Sequence, residues 1–188
     1  MRYCLNTYSE LFSVSSFEKH LKASGQPGSK RTISNYLQYM ADAFFLIVNE
    51  KYSYSPRKRL MNPKKIYLLD TGFTFLATEF SENRGKALEN VVAIELCRRQ
   101  DQVFYHKDRR ECDFVVVPRL GGGGTAIQVC SQLNERTQAR ELNGLLEAAE
   151  AWKLDDLLVL TYDDERLVPY QDRTVSVLPV WKWLLRKG

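Results

Sequence analysis

The sequence predicts an α/β protein, α+β overall, with a winged helix-turn-helix over residues 1–72 and a mixed-sheet domain over residues 73–188. Three observations predict this division. A short helix, a Gly/Pro turn and a second helix precede two strands joined by a basic loop. A helix, three strands, a helix and a strand then follow. Residues 1–72 carry 11 Lys/Arg against 5 Asp/Glu, whereas residues 73–188 carry 16 against 18.

Composition is that of a globular protein, with 44% hydrophobic and 27% charged residues among 188. No apolar run approaches the roughly 18 residues that a membrane helix needs, so we expect no membrane partner. The four cysteines are scattered without a CxxC pair, which argues against a disulfide framework or a structural zinc site. We therefore expect a reduced, cytoplasmic protein.

The N-terminal helices form the predicted helix-turn-helix. Ser15 and Ser16 precede a short amphipathic helix, and the GQPG segment at 25–28 ends it. Ser29 is predicted to cap a second helix, KRTISNYLQYMADAF, whose apolar face would hold Ile33, Tyr36 or Leu37, Met40 and Phe44. The start of that helix carries side chains that can donate to phosphates and base edges: Lys30, Arg31, Thr32, Ser34 and Asn35.

Two strands follow, FFLIVNEKYS and IYLLD, with a basic loop between them. The loop would be the wing, which in winged helices reaches along the DNA backbone or into the minor groove. Its candidate phosphate contacts are Arg57, Lys58, Arg59, Lys64 and Lys65. The excess of positive charge in this part favours an anionic partner, DNA above all. The alternative is a helical pair that packs on another domain beside a solvated loop.

The C-terminal part alternates helices and strands. KALENVVAIELCRR is a helix, and VFYHK, ECDFVVV and TAIQVC are strands. A helix from about Gln138 to Trp152 follows, then LLVLTY, which is apolar throughout as a buried central strand should be. VSVLPV is a further strand and WKWLLRKG a final helix. Helix, three strands, helix and strand is the order of the PD-(D/E)XK nuclease core.

At these residues the chain resembles a known family. SKRTISNYLQYMADAFFL, NPKKIYLLDTG, GKALENVVAIEL and ECDFVVV followed by IQVC are similar to the C-terminal region of archaeal and bacterial AAA-type ATPases. Those proteins carry a P-loop ATPase domain, a winged helix and a restriction-endonuclease-like domain of poorly defined role. The resemblance, from about Ser15 to the end, implies a DNA-binding and regulatory module whose partner is an ATPase domain, in the full-length protein or in trans.

The nuclease chemistry of this fold needs carboxylates that hold Mg²⁺ and a lysine that activates the attacking water. Glu89 matches the helix acid and Asp113 the first strand acid, so these two are the candidate metal ligands. Glu111 lies on the same strand face as Asp113. The third strand should carry Glu-x-Lys, but this chain has Gln128, Val129 and Cys130 there.

That departure predicts a lost or weakened catalytic site. Gln128 offers only a neutral carbonyl, and Cys130 supplies no fixed positive charge. Glu89, Asp113 and Gln128 are thus candidates for a degenerate site, and Mg²⁺ is expected only if it is active. Lys86, Lys107 or Arg140 could replace the lysine. The alternative is that Glu89 is a helix-surface acid and that Asp113 is a strand-end residue paired with Arg109 or Arg110.

ATP hydrolysis is not expected of this chain, because no GxxxxGK[ST] motif occurs in it. The helix that usually opens a winged helix is not predicted either. We therefore expect a fragment of a longer ATPase, or a truncated or split reading frame.

The sequence is compatible with three functions. The first is a DNA-binding and regulatory module with an inactive nuclease-like domain. The others are a Mg²⁺-dependent endonuclease with a rearranged site and a protein-docking module.

Overall fold

The computed structural model describes residues 1–76, 84–99, 102–118 and 123–186. The chain divides into two compact units, Met1–Glu82 and Asn83–Gly188. The predicted mixed α/β class is confirmed, because helices and a mixed parallel and antiparallel sheet make up the fold. The predicted boundary at residue 72 falls ten residues before the end of the first unit at Glu82.

The first unit contains α1 (Arg2–Asn6), β1 (Glu10–Phe12), α2 (Val14–Ala23), α3 (Lys30–Asp42), β2 (Leu46–Lys51), α4 (Pro56–Met61), β3 (Lys64–Leu68) and a 3-10 helix (Thr71–Leu76). β3 pairs antiparallel with both β1 and β2. Apart from α4, which lies between β2 and β3, the order is helix, strand, two helices and two strands, which is compatible with the predicted winged helix-turn-helix. No helix or strand was predicted before Ser15, and α4 was predicted as part of a loop.

Capping explains where the helices of this unit begin. The Ser13 hydroxyl accepts a hydrogen bond from the Ser16 backbone N–H, so α2 begins earlier than the Ser15 or Ser16 cap would place it. Ser29 caps α3 as predicted, accepting from the Thr32 N–H at 3.2 Å. GQPG separates the two helices.

The core of this unit lies between the helices and the three strands. Ile33 and Leu37 of α3 pack there against Phe12, Phe45 and Ile66. Of the predicted alternatives Tyr36 and Leu37, Leu37 is the one that is buried, and Tyr36 is 61% exposed. Phe44, predicted for the same apolar face, lies on the surface at 76% exposure. Phe44 follows the end of the helix with φ of 56°, which turns the chain and puts Phe45 into the core.

The second unit contains α5 (Arg84–Arg98), β4 (Gln102–Lys107), β5 (Glu111–Val117), β6 (Thr125–Val129), α6 (Glu135–Trp152), β7 (Asp156–Thr161), β8 (Arg166–Tyr170), β9 (Arg173–Pro179) and α7 (Val180–Leu185). The strands are ordered β4-β5-β6-β7-β9-β8. β6, β7 and β9 are parallel, and the other pairs are antiparallel. β8 was not predicted.

Helix α6 approaches the sheet closely at Gly144. A Cβ at that position would lie 2.1 Å from the carbonyl oxygen of Glu111, the first residue of β5. Leu142 and Leu145 are fully buried on the same helix. The glycine therefore lets the helix backbone rest directly against the beginning of β5.

Glu95 of α5 is buried and ion-paired. Its carboxylate accepts from Arg98 at 2.7 Å and from Arg99 at 2.8 Å. The hydrogen bond from Arg98, followed by the one from Arg99, lowers the pKa of Glu95 to about 2 although burial acts in the opposite direction. Glu95 therefore has a structural role in fixing the end of the helix.

Candidate functional site

A cavity of about 620 Å³ lies in the second unit, where the beginning of β5 and the end of β6 meet the N-terminal halves of α5 and α6. All three residues predicted for the degenerate nuclease site line it. Glu89 comes from α5, Asp113 from β5 and Gln128 from β6, and each is at most 9% exposed. The fold thus brings together residues from three elements that are well separated in the sequence.

Side chains replace the β5–β6 backbone ladder at this cavity. Regular pairing runs from Val116 opposite Thr125 to Phe114 opposite Ile127. At the next position the Asp113 N–H donates to Gln128 Oε1 at 3.3 Å, and the Val129 N–H donates to Asp113 Oδ2 at 2.9 Å. Asp113 and Gln128 therefore satisfy backbone groups where the two strands diverge.

Glu141 of α6 is a site residue that was not predicted from the sequence. It lines the cavity at 4% exposure, and its Oε2 accepts from Gln128 Nε2 at 2.7 Å. Its Oε1 accepts from the Arg140 guanidinium. Glu141 directly precedes Leu142 and lies four residues before Leu145, so it falls on the apolar face of the helix. This position is the sequence signal that could have identified it.

These contacts do not fit the Mg²⁺ ion that the nuclease fold implies. The Gln128 amide bonds to protein at both its oxygen and its nitrogen, and both Glu141 oxygens accept from protein donors. A magnesium site needs oxygen ligands in octahedral geometry. Across the described residues, no group of three His, Cys, Asp or Glu side chains is placed to hold a metal ion.

Cys130 stands at the lysine position of the nuclease motif and lines the same cavity. Burial, followed by the nearby charges of Glu141 and Asp113, raises the pKa of its thiol to about 12. The thiol is therefore protonated at neutral pH. It provides neither the positive charge of a lysine nor a thiolate nucleophile.

Five basic side chains line the cavity: Lys86, Lys107, Arg109, Arg110 and Arg140. Three of them are the predicted substitutes for the missing lysine. Lys107 is paired with Glu111 at 2.9 Å, and Arg140 is paired with Glu141, which raises the pKa of Arg140. The suggested pairing of Asp113 with Arg109 or Arg110 is not seen for either arginine, and Asp113 instead caps the Val129 N–H.

A second candidate surface lies on α3 in the first unit. The residues predicted there to contact DNA are all exposed, namely Lys30, Arg31, Thr32, Ser34 and Asn35, while Ile33 and Leu37 between them face the core. The Thr32 hydroxyl is engaged with Ser29 Oγ at 3.0 Å. Tyr36 and Tyr39, both 61% exposed, extend this surface and were not predicted as contacts.

The structure corrects two of the predicted wing residues. Lys64 and Lys65 begin strand β3 and do not lie in the loop. Lys65 is only 2% exposed, and Lys64 pairs with Glu50 at 2.8 Å, its register partner on β2. Neither can therefore reach a phosphate as an exposed loop lysine would.

The other basic residues predicted for the wing lie on helix α4 and not in a loop. Ser55 caps this helix and Pro56 is its first residue, which accounts for a helix where a loop was predicted. Arg57 and Lys58 are exposed, and Arg59 is partly buried. Arg57 and Lys58 therefore provide the exposed basic charge of the segment that was predicted to be the wing.

No helix among the described residues is both long and apolar enough to cross a membrane. Comparison with known proteins relates the second unit to one family: residues 84–183 match DUF4143, a domain of unknown function.

Two uncharacterized proteins are similar over nearly the whole chain. MJ1544 of Methanocaldococcus jannaschii is 32% identical over 192 residues, which cover 96% of this chain and 42% of that protein. A protein of Haemophilus influenzae is 27% identical over 179 residues, which cover 94% of this chain and 42% of that protein. The chain thus spans less than half the length of either relative. No solved structure matches it.

Proposed function

This chain belongs to the DUF4143 family, and we propose that it is the C-terminal DNA-binding and regulatory module of an AAA-type ATPase. The winged helix binds DNA, and the nuclease-like unit serves as a scaffold that does not cleave it. The lengths of the two relatives support the proposed link to an ATPase domain. In each of them, more than half of the residues lie outside the part that is similar to this chain. A separate nucleotide-binding domain would fit in that remainder.

One observation carries the DNA-binding proposal: the outer face of α3 exposes cationic and amide side chains while its inner face is buried. Lys30, Arg31 and Asn35 are exposed, and Ile33 and Leu37 anchor the helix in the core. Arginine, lysine and asparagine are the residues that most often read phosphates and base edges. A helix held firmly by one face can present such groups to the major groove.

The contacts of the cavity carboxylates support the proposed absence of cleavage. Glu141 is bound by Gln128 and Arg140, and Asp113 caps a strand N–H. A metal-dependent phosphodiesterase needs free oxygen ligands and a base or charge beside the attacking water. Here Glu141 and Asp113 accept from protein donors and the thiol of Cys130 is neutral, which supports a site that does not hydrolyse DNA.

The endonuclease alternative is favoured by a single observation. Lys86, Lys107 and Arg140 all line the cavity, and Lys107 and Arg140 could take the part of the missing lysine only by giving up their ion pairs with Glu111 and Glu141. Such a nuclease would still require a metal at Glu89 and Asp113.

DNA binding is tested by the salt dependence of affinity. Each phosphate that a protein side chain neutralises contributes about 0.9 to the slope of log affinity against log salt. Replacing Lys30 and Arg31 with alanine, which we call the α3 variant, should therefore reduce the slope for duplex DNA by about 1.8. The change can be measured by fluorescence anisotropy.

Two matched variants serve as controls. Arg136→Ala with Arg186→Ala removes the same charge from exposed sites of the second unit, and Lys64→Gln removes a paired lysine. Both should leave the slope unchanged. An α3 variant with the wild-type slope would refute the proposed DNA-binding surface.

A further inference from the structure

Helix α4 exposes and buries its residues in the reverse of the usual arrangement. A surface helix normally buries its apolar side chains and exposes its charged ones. On α4, Leu60 and Met61 are 73% and 80% exposed, whereas Arg59 is partly buried. We propose that the outer face of α4 is a docking surface for a protein partner that carries acidic groups among apolar ones. Its residues differ from those of the α3 face, so the docking role does not depend on DNA binding by α3.

Arg57, Leu60 and Met61 lie on one stripe of the helix surface, which we call the α4 stripe. Residues three and four positions apart in a helix are surface neighbours, so Leu60 and Met61 flank Arg57. All three are exposed. A single exposed apolar residue is ordinary on a protein surface. The burial of Arg59 in place of two apolar residues is not, and it indicates that the stripe is kept for a partner.

Hydrogen bonds fix α4 on the hairpin of β2 and β3. The Ser55 hydroxyl caps the helix by accepting from the Lys58 N–H at 3.4 Å. Near the end of the helix, the Lys64 ammonium donates to the Arg59 carbonyl oxygen and, at 2.8 Å, to Glu50 Oε1. Because Glu50 and Lys64 are register partners, this ammonium joins the helix to both strands. A stripe on a fixed helix loses little conformational entropy when a partner binds.

The charge of this segment selects an acidic partner. Residues 52–63 contain Arg57, Lys58 and Arg59 and no Asp or Glu. Arg57 and Lys58 are exposed, and no ion pair is found for either of them in the described part of the chain. Complementary charge across an interface steers association and excludes wrong partners. A partner of the α4 stripe should therefore place a carboxylate opposite Arg57.

The order of residues on the stripe favours a protein over a membrane or DNA. Amphipathic helices that bind lipid surfaces keep charged and apolar residues on separate faces, whereas Arg57 lies between Leu60 and Met61. DNA phosphates would suit Arg57 but would leave the two apolar side chains against a charged backbone. Protein interfaces are enriched in arginine, methionine and aromatic residues. The exposed Tyr54, two residues before the helix, adds an aromatic ring of this kind.

The test uses two fluorescent helical peptides that differ only in charge. One carries leucine and glutamate on a single face, and the other has lysine at every glutamate position. Fluorescence anisotropy measures the binding of each peptide to the full chain. We expect the acidic peptide to bind at least about tenfold more tightly than the basic one.

Charge reversal separates a docking role from a loss of folding. Arg57→Glu with Lys58→Glu should weaken binding of the acidic peptide at least about tenfold and strengthen binding of the basic one, a gain that a misfolded chain would not show. Leu60→Ser with Met61→Ser should weaken binding of the acidic peptide by a similar factor. Two controls make the same changes at exposed positions of the second unit and should bind like the wild type: Arg136→Glu with Arg186→Glu, and Leu167→Ser with Leu185→Ser.

Three outcomes would overturn the docking surface. The first is a wild type that does not prefer the acidic peptide, or a preference that survives both α4 variants. The second is binding to phosphatidylglycerol vesicles that Leu60→Ser with Met61→Ser abolishes while peptide binding is unchanged, which would identify a lipid surface. The third is a lower salt slope for duplex DNA in Arg57→Glu with Lys58→Glu while peptide binding is unchanged, which would identify a DNA-binding wing. The α3 residues are unaltered in every variant, so failure of the α3 proposal would not affect these results.

Discussion

The Gln128 amide donates from Nε2 to Oε2 of Glu141 at 2.7 Å, and both side chains are buried. The bond joins the end of β6 to α6 across the cavity. A carboxylate at position 128, as in the nuclease motif, would instead face the carboxylate of Glu141. The glutamine is therefore chemically matched to Glu141, and the loss of a nuclease acid at this position coincides with a stabilising contact.

Restoring the acid should destabilise the protein. Gln128→Glu places two carboxylates side by side, which raises the pKa of one of them above its unfolded value. Because a raised pKa contributes stability only at low pH, the penalty should be small near pH 4 and reach about 1–3 kcal/mol at pH 7. Urea unfolding at both pH values measures it. Gln102→Glu, at an exposed position of β4, is the control and should cost little.

The same substitution becomes more informative when Arg140, which is paired with Glu141, is also replaced. Gln128→Glu with Arg140→Ala adds a carboxylate beside Asp113 and Glu141 and removes the guanidinium that is paired with Glu141, so we expect a divalent cation to bind. Saturating Mn²⁺ should stabilise this double variant by about 2–3 kcal/mol, the linkage effect of a ligand near 100 times its Kd. Thermal unfolding with and without Mn²⁺ checks this. Equal Mn²⁺ stabilisation of the wild type would show that its cavity already holds the metal.

Glu95 should make stability depend on acid. Its folded pKa of about 2 lies below the unfolded value near 4.3, so its contribution is complete above that value and is lost as the pH falls toward 2. Glu95→Gln should therefore cost about 1–3 kcal/mol at pH 7 and much less near pH 2. Urea unfolding across this range provides the comparison, with the exposed Glu150→Gln as control. A cost that did not change with pH would contradict the ion-pair assignment.

Gly144→Ala should destabilise the second unit although alanine is the better helix former. In an exposed helix this change gains up to about 1 kcal/mol. Here the new Cβ would lie 2.1 Å from the Glu111 carbonyl, and we expect a loss of about 1–3 kcal/mol. The free energy of unfolding decides between the two signs. Ala151→Gly, at an exposed position of α6, should show the ordinary helix preference and cost about 0.5–1 kcal/mol.

Much of the fold could be predicted because local signals agree with the tertiary structure. Ser29 and the GQPG turn define α3, and the apolar run of residues 157–162 identifies the buried strand β7. The missed elements have weak local signals: β1 is three residues long, and the exposed Arg166 and Leu167 of β8 break the strand pattern. Their structure depends on partners distant in the sequence.

The candidate site was predictable only in part, because the contacts between its residues also depend on partners distant in the sequence. Motif spacing placed Glu89, Asp113 and Gln128 on the correct elements, but hydrogen-bond partners are a property of the assembled fold. Glu141 remained hidden because an acid within a helix usually faces solvent. Lys65 was misassigned because the start of β3 could not be distinguished from the end of a basic loop.

One gel experiment can test whether the chain binds DNA and whether it leaves the DNA uncleaved. The wild-type chain is incubated with supercoiled and duplex DNA in Mg²⁺ or Mn²⁺, beside Asp113→Asn, which keeps an acceptor for the Val129 N–H but removes the charge. We predict a shift in mobility, with the supercoiled plasmid intact for both proteins. Nicked or linear plasmid with the wild type but not with Asp113→Asn would contradict the prediction that the chain does not cleave DNA. The absence of any mobility shift would contradict the prediction that it binds DNA.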